Sequence, residues 1–173
     1  DKYTRNLAYT DWAIGQFVGR LKQAGLYDNT VFILVGDHPR RGFSGSEPKE
    51  MFRVPFVLAA PGVLPPGANT RISSQAHLLP TLVDLFHISQ PYAAMGNSVL
   101  DKNTPGFAFI SNLVGERVGL ISAAGLAVEP LGGQTPGQDG LSRQRRQAAE
   151  LNRAMYDLLR QGRWAPAETA GVR

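Results

Sequence analysis

The sequence predicts an α/β fold, with buried strands and flanking helices followed by a small antiparallel meander and a C-terminal helix. Three observations carry that expectation. Residues 5–25 and 77–87 repeat their apolar positions at helical spacing, whereas residues 31–35 and 54–60 are continuous apolar runs of strand length. After Leu100 the pattern changes to short β-branched runs separated by glycine-containing turns. Helix, strand, loop, strand and helix in that order follow the α/β pattern.

The first helix, over residues 5–25, groups Leu7, Ile14, Phe17, Val18 and Leu21 on one side, and Gly25 stands where a C-terminal cap belongs. Val31-Phe32-Ile33-Leu34-Val35 lacks alternation, which suits a strand buried on both faces of a parallel sheet. Residues 39–52 are polar and rich in Gly, Pro and Ser, so they predict a loop before the second buried run, Val54–Ala60. A Pro/Gly connector leads to a helix near 77–87, where Leu78, Leu79, Leu82, Val83 and Phe86 form the stripe. Pro80 fits there because it lies in the first turn, where its missing N–H costs nothing. Phe107–Ile110, Arg117–Ser122 and Leu126–Pro130 predict the meander, residues 132–140 a loop, and residues 141–161 a last helix striped by Leu151, Met155, Leu158 and Leu159. Residues 1–100 then form the α/β part and residues 101–173 the antiparallel strands and C-terminal helix of the same domain.

Composition narrows the function classes. The chain has 173 residues, 43% of them apolar, and a net charge of only +4, which excludes a disordered chain. With no Cys, a disulfide scaffold, a thiolate metal site and a cysteine nucleophile are all excluded. No apolar run approaches the roughly 20 residues of a membrane-spanning helix. The basic excess divides evenly between residues 1–100 and 101–173, nine Lys/Arg against seven Asp/Glu in each, so no nucleic-acid partner is expected. Mild basicity instead suits an anionic substrate.

The sharpest chemical feature is Asp37-His38, at the carboxyl end of the first strand run, where open α/β sheets place their ligands. A carboxylate beside an imidazole suits a divalent metal of intermediate hardness, and Gly36 and Pro39 break the strand so that both side chains can converge. As a dipeptide alone it reads first as a loop Asp that accepts backbone N–H bonds beside a partly exposed His. Arg40 and Arg41 either clamp a phosphate oxygen or form a solvated basic loop. His77 and His87 read as surface or helix-end histidines. Gly42-Phe43-Ser44-Gly45-Ser46 has its Gly and Ser out of frame for a nucleophile elbow.

Tyr9-Thr10-Asp11-Trp12-Ala13-Ile14-Gly15, Gly25-Leu26-Tyr27-Asp28-Asn29-Thr30 and Gly36-Asp37-His38, in this order and spacing, resemble the alkaline-phosphatase-like sulfatase superfamily. The resemblance is nearest to the lipoteichoic acid synthase and phosphoglycerol transferase branch. Arg53-Val54-Pro55-Phe56 through Ala60-Pro61-Gly62, and Ile72-Ser73-Ser74-Gln75 followed by Leu78-Leu79-Pro80-Thr81-Leu82, look like the next strand and helix of that family. The likeness covers residues 1–100, and Pro105–Gly133 is similar to the tail of bacterial members.

The resemblance implies the C-terminal portion of an alkaline-phosphatase-like catalytic domain. It makes Asp37 and His38 two ligands of one divalent metal ion, Mn, Mg or Zn, and assigns no catalytic residue within the chain. The nucleophile, a Thr in this branch, lies upstream, as do a further acidic ligand and a substrate-contacting His. Ser46-Glu47-Pro48-Lys49-Glu50 is similar to the sulfatase Ser-x-Pro-x-Arg signature, but Glu50 stands where Arg is required and the segment follows the metal pair. Pro39 stands where the family usually has Gly, which bears on how the ligands are aimed. His77 stands where it commonly has Asp, a loss of an N-cap worth about 1 kcal/mol unless Ser74 or water compensates.

The implied activity is phosphoglycerol transfer from phosphatidylglycerol through a phosphoglycerol-Thr intermediate, at the outer face of a bacterial cytoplasmic membrane and anchored by N-terminal helices. The implied partners are the N-terminal part of the catalytic domain and an anionic lipid or phosphodiester, with self-association of the fragment through its uncovered sheet edge. Two alternatives stand beside it: a sulfate- or phosphate-ester hydrolase of the same superfamily, and a non-catalytic module that binds the cell envelope.

Overall fold

The computed structural model describes residues 1–39, 48–112, 117–130 and 142–163. The chain divides into two compact units, Asp1–Ser46 with Glu50–Asn69, and Glu47–Lys49 with Thr70–Arg173.

The first unit opens on α1, Lys2–Gln23. The helix begins earlier than its apolar stripe because Asp1 caps it, the carboxylate accepting the Thr4 backbone N–H at 2.8 Å. It ends in a Schellman turn: Leu26 N–H donates to Leu21 C=O at 2.9 Å, and Gly25 takes φ 68°. The apolar stripe forms, yet no residue of α1 is buried; Leu7 is 53% and Phe17 57% exposed. A 3₁₀ turn at Tyr27–Asn29 stacks Tyr27 near Phe32, centroids 5.4 Å apart, and leads into β1, Phe32–Val35.

Here the structure corrects the sequence expectation. β1 pairs with β2, Phe56–Ala59, in antiparallel register, Phe32 opposite Ala59 and Val35 opposite Phe56. A parallel neighbour needs a crossover, usually a helix. Among the described residues the connection from β1 to β2 carries only a 3₁₀ turn, Pro48–Phe52, so the chain doubles back. Both strands are shorter than their apolar runs and only partly buried: Phe32 is buried, while Val35 and Val57 are exposed.

The second unit builds its own core. A 3₁₀ turn at Gln75–His77 runs into α2, Leu78–Leu85, with Pro80 buried in its first turn as anticipated. α2 closes in the same kind of turn as α1, Ile88 N–H donating to Val83 C=O at 2.9 Å, but the left-handed position is His87 at φ 51°. β3 (Ala108–Asn112), β4 (Arg117–Ser122) and β5 (Gly125–Pro130) form the antiparallel meander, β4 in the centre. α3, Ser142–Arg160, lies on β4 and β5, with Ala148 buried against Val118 and Leu120 and Leu151 beside them.

A polar lattice ties residues 71–105 together. Arg71 Nη1 donates to the carbonyls of Ser98, at 2.9 Å, and Asp101, and Nη2 to that of Pro105 at 3.5 Å. Thr81 Oγ1 donates to His77 C=O at 2.6 Å and accepts Val99 N–H at 3.0 Å. Among the described residues, no helix is long and apolar enough to cross a membrane.

Candidate metal site

The loop after β1 is set by Gly36. Its N–H extends the ladder by one bond, to Pro55 C=O at 3.0 Å, and a Cβ there would sit 3.0 Å from Val54 Cβ and 3.1 Å from Pro55 Cδ. A larger residue would need Val54 and Pro55 to give by a few tenths of an ångström, so packing favours glycine before the candidate ligands. Asp37 and His38 follow at the exposed carboxyl end of the strand, the position the sequence assigns them.

Their side chains converge. Asp37 Oδ1 accepts the His38 backbone N–H at 2.8 Å, which turns Oδ2 toward the imidazole. His38 Nδ1 lies 2.8 Å from Pro39 C=O, and a carbonyl can only accept, so Nδ1 carries a proton and in the neutral ring Nε2 keeps its lone pair. Nε2 then stands 3.4 Å from Asp37 Oδ2. Two donors bound about 2.0–2.1 Å from one tetrahedral ion sit roughly 3.3–3.4 Å apart. A metal-binding His also typically donates its other N–H to a carbonyl. On donor chemistry, tautomer and spacing, the pair fits half of a divalent metal site.

Both side chains are largely exposed, 61% for His38 and 86% for Asp37. Among the described residues no group of three or more His, Cys, Asp or Glu could hold a metal ion, so no further ligand joins them there. Pro39 therefore serves as acceptor for the imidazole, and the proline that departs from the family pattern leaves the two donors convergent. Arg40 and Arg41 lie outside the described residues, as do Gly42–Glu47 and the loop at 132–140.

His77 departs from expectation. It is fully buried, not a surface histidine. Ser74 and His77 form a capping box with imidazole in place of the usual Glu or Gln: Ser74 N–H donates to Nδ1 at 3.1 Å. Ser74 thus supplies the compensation for the missing Asp. Nε2 carries the proton and has no hydrogen-bond partner among the described residues, and the ring meets Phe107 edge-on with centroids 4.9 Å apart. Burial, with the nearby Arg71 charge adding to it and the Ser74 C=O, 3.2 Å from Nδ1, opposing, holds its pKa below the ordinary 6.5. The signal was present in the Ser-x-x-His spacing, which reads as a cap once His is admitted as an acceptor. An open cleft of about 430 Å³ beside α2, lined by Val83, Asp84, His87, Tyr92 and Asp101 among others, belongs to this second unit and holds none of the predicted ligands. Asp101 is held below the usual carboxylate range by the Thr104 hydroxyl and the Asn103 N–H.

The molecule is thus an α/β chain with a convergent acid–imidazole pair on the loop after its first strand. Comparison with known proteins supplies its family. The sulfatase family model matches residues 1–88, half of the chain, and the chain belongs to that family of hydrolases and transferases. It is 29% identical to lipoteichoic acid synthase 1 of Bacillus subtilis over 66% of this chain and 22% of that protein. It is 32% identical to an arylsulfatase of Clostridium perfringens over 57% of this chain and 23% of that protein. To an endo-4-O-sulfatase of Bacteroides thetaiotaomicron it is 29% identical over 80% of this chain and 27% of that protein. The chain therefore spans about a quarter of the length of these relatives. No solved structure matches it.

Proposed function

We propose that this chain is the C-terminal part of the catalytic domain of a phosphoglycerol transferase similar to the lipoteichoic acid synthases. The observation that carries the reading is the convergence of Asp37 Oδ2 and His38 Nε2 at 3.4 Å, with the imidazole proton held on the other nitrogen by Pro39. Asp37 and His38 hold one divalent ion together with ligands contributed from upstream. When bound, such an ion supplies a Lewis acid that lowers the pKa of a hydroxyl nucleophile and stabilises charge on phosphoryl oxygens. The nucleophile is an upstream Thr and the donor phosphatidylglycerol, which places the reaction at the outer face of the cytoplasmic membrane. The N-terminal part of the catalytic domain is the partner that covers the exposed apolar stripe of α1, Leu7, Ile14 and Phe17. By itself the chain binds metal weakly, turns nothing over and self-associates through its uncovered sheet edge.

The test is Asp37→Ala in the full-length enzyme, with metal content and release of diacylglycerol from phosphatidylglycerol both measured. Loss of both is the expected result; unchanged metal content and activity would overturn the site. Phosphodiesterase activity from these 173 residues alone would overturn the fragment reading. The arylsulfatase and endo-4-O-sulfatase matches favour a second reading, sulfate- or phosphate-ester hydrolysis. The upstream nucleophile separates the two: Thr supports transfer, and Ser or Cys in a Ser/Cys-x-Pro-x-Arg setting supports hydrolysis.

A further inference from the structure

The second unit holds a cavity that the proposed phosphoglycerol chemistry does not use. The open cleft beside α2, about 430 Å³, falls within the roughly 300–1,000 Å³ of small-molecule sites. Its charge runs against the rest of the molecule: the lining carries two carboxylates, Asp84 and Asp101, and no Lys or Arg, in a chain of net +4. Asp84 stands in the last turn of α2, where the helix dipole already disfavours an anion, and no basic residue shares that turn. Among the described residues its carboxylate has no hydrogen bond or ion pair. Asp101 is fixed in place, Oδ1 accepting the Asn103 N–H at 2.8 Å and Oδ2 the Thr104 hydroxyl. Arg71 is near Asp101 but does not line the cleft; its guanidinium donates to the Ser98, Asp101 and Pro105 carbonyls.

Two further features mark this cleft. Asn97 lines it, yet Oδ1 and Nδ2 are both shut from solvent and have no hydrogen-bond partner among the described residues. An unmet buried amide is costly. A ligand hydroxyl, which both donates and accepts, satisfies either atom once the wall gives slightly. His87 is held at φ 51°, where the corresponding turns of α1 and α3 place Gly25 and Gly162. Such strain persists where the side chain has a task, and here it sets an imidazole on the cleft. Tyr92 adds an aromatic face for a cation, and Val83 and Ile88 an apolar wall for a short carbon skeleton. Among the described residues no three His, Cys, Asp or Glu gather closely enough to hold a metal ion. The acidic groups therefore suit an organic cation spread across the cleft better than a bare ion.

We propose that this cleft binds a small hydroxylated amine, its ammonium held by Asp84 and Asp101 beside the Tyr92 ring and a hydroxyl by Asn97 and His87. The site lies wholly within the second unit and is independent of the metal ligands. Saturation-transfer NMR of the full chain with glucosamine and ethanolamine, each beside its neutral counterpart, glucose and ethylene glycol, tests it. The expected result is transfer to the amines and not to the neutral compounds, weakening with added salt. Asp84→Asn then weakens glucosamine binding about tenfold, the usual worth of one charged hydrogen bond. Asp84 is exposed, and an unchanged circular dichroism spectrum confirms that the variant folds. His87→Gly weakens binding as well without lowering the urea midpoint, which separates the lost contact from lost stability. No transfer to either amine, equal transfer to the neutral compounds, or full binding by Asp84→Asn overturns the proposal. Displacement of glucosamine by an equal concentration of calcium at constant ionic strength also overturns it, in favour of a metal-ion site.

Discussion

The two units of the chain divide stability and chemistry between them. The second unit has a buried core, Val118, Leu120 and Ile121 on β4, Ala127 on β5 and Ala148 on α3, and a polar lattice that secures the segment before it. The first unit carries the candidate metal ligands, yet its α1 buries no residue and its strand pair buries Phe32 alone. Burial of apolar surface is the main source of folding free energy, at about 25 cal/mol per Å². The lesson is that the candidate ligands stand on the part of the chain with the least apolar burial of its own. Precise placement of ligands needs supporting packing, so the first unit is where further protein has most to add.

That contrast breaks most readily in the second core. Leu120 is 3% exposed and packs in the cluster with Val118 and Ala148. Leu120→Ala is expected to cost about 2–5 kcal/mol. Leu7→Ala on α1, 53% exposed, is expected to stay within about 0.5 kcal/mol. Urea denaturation of the chain and its two variants measures both; comparable losses would show that α1 is covered after all. The polar lattice comes next. Arg71→Leu removes the guanidinium bonds to the Ser98, Asp101 and Pro105 carbonyls. Each charged hydrogen bond is worth about 1.5–3 kcal/mol, less where solvent can replace it, so a total near 3 kcal/mol is expected. Protection of the Val99 and Leu100 amides from hydrogen exchange should fall with it, while the β4 amides keep theirs.

How much of this was legible beforehand follows the same division. The meander, α2 and α3 were readable because period-2 and period-3.6 patterns fall on elements that the chain itself buries. Helix ends were readable wherever glycine marked them, at Gly25 and Gly162. The β1 run spoke of burial but not of a partner, and a run of five apolar residues is silent on whether its neighbour is parallel or antiparallel. Asp37 and His38 were legible from strand-end logic and family likeness together; the tautomer that aims Nε2 at the carboxylate depends on the carbonyl of Pro39 and was not. His77 escaped because its burial is set by Phe107, thirty residues away, a contact that no local pattern encodes.

pH sharpens the comparison from another side. Burial holds the His77 pKa below 6.5, so as pH falls the unfolded chain binds its proton first. The stability contributed by neutral His77 is fully present above about pH 6.5 and is lost as pH falls through the folded-state value. Protonation also puts a hydrogen on Nδ1, opposite the Ser74 N–H, and adds a cation near Arg71. The expected outcome is a urea midpoint that declines as pH falls below about 6.5, centred on the second unit. His77→Gln keeps an acceptor for Ser74 N–H and should flatten that decline. An equal decline in the variant would assign the pH dependence to other groups.

The smallest effect concerns how the helices end. α1 and α3 stop at glycines with φ 68° and 65°, and α2 stops in the same way at His87 with φ 51°. A side chain in the left-handed region costs about 1–2 kcal/mol, although His tolerates it better than most residues. Glycine removes that strain but gives the unfolded chain more freedom, which offsets part of the gain. His87→Gly should therefore stabilise the second unit by about 0.5–1 kcal/mol, read as a small rise in the urea midpoint. His87 is exposed and lines the open cleft beside α2, so the substitution removes no core packing that would mask the gain. A loss of stability would mean that the imidazole contributes more to the cleft than the strain it costs. Such a loss would make His87, which the sequence offered only as a helix-end residue, the position in this cleft to probe next.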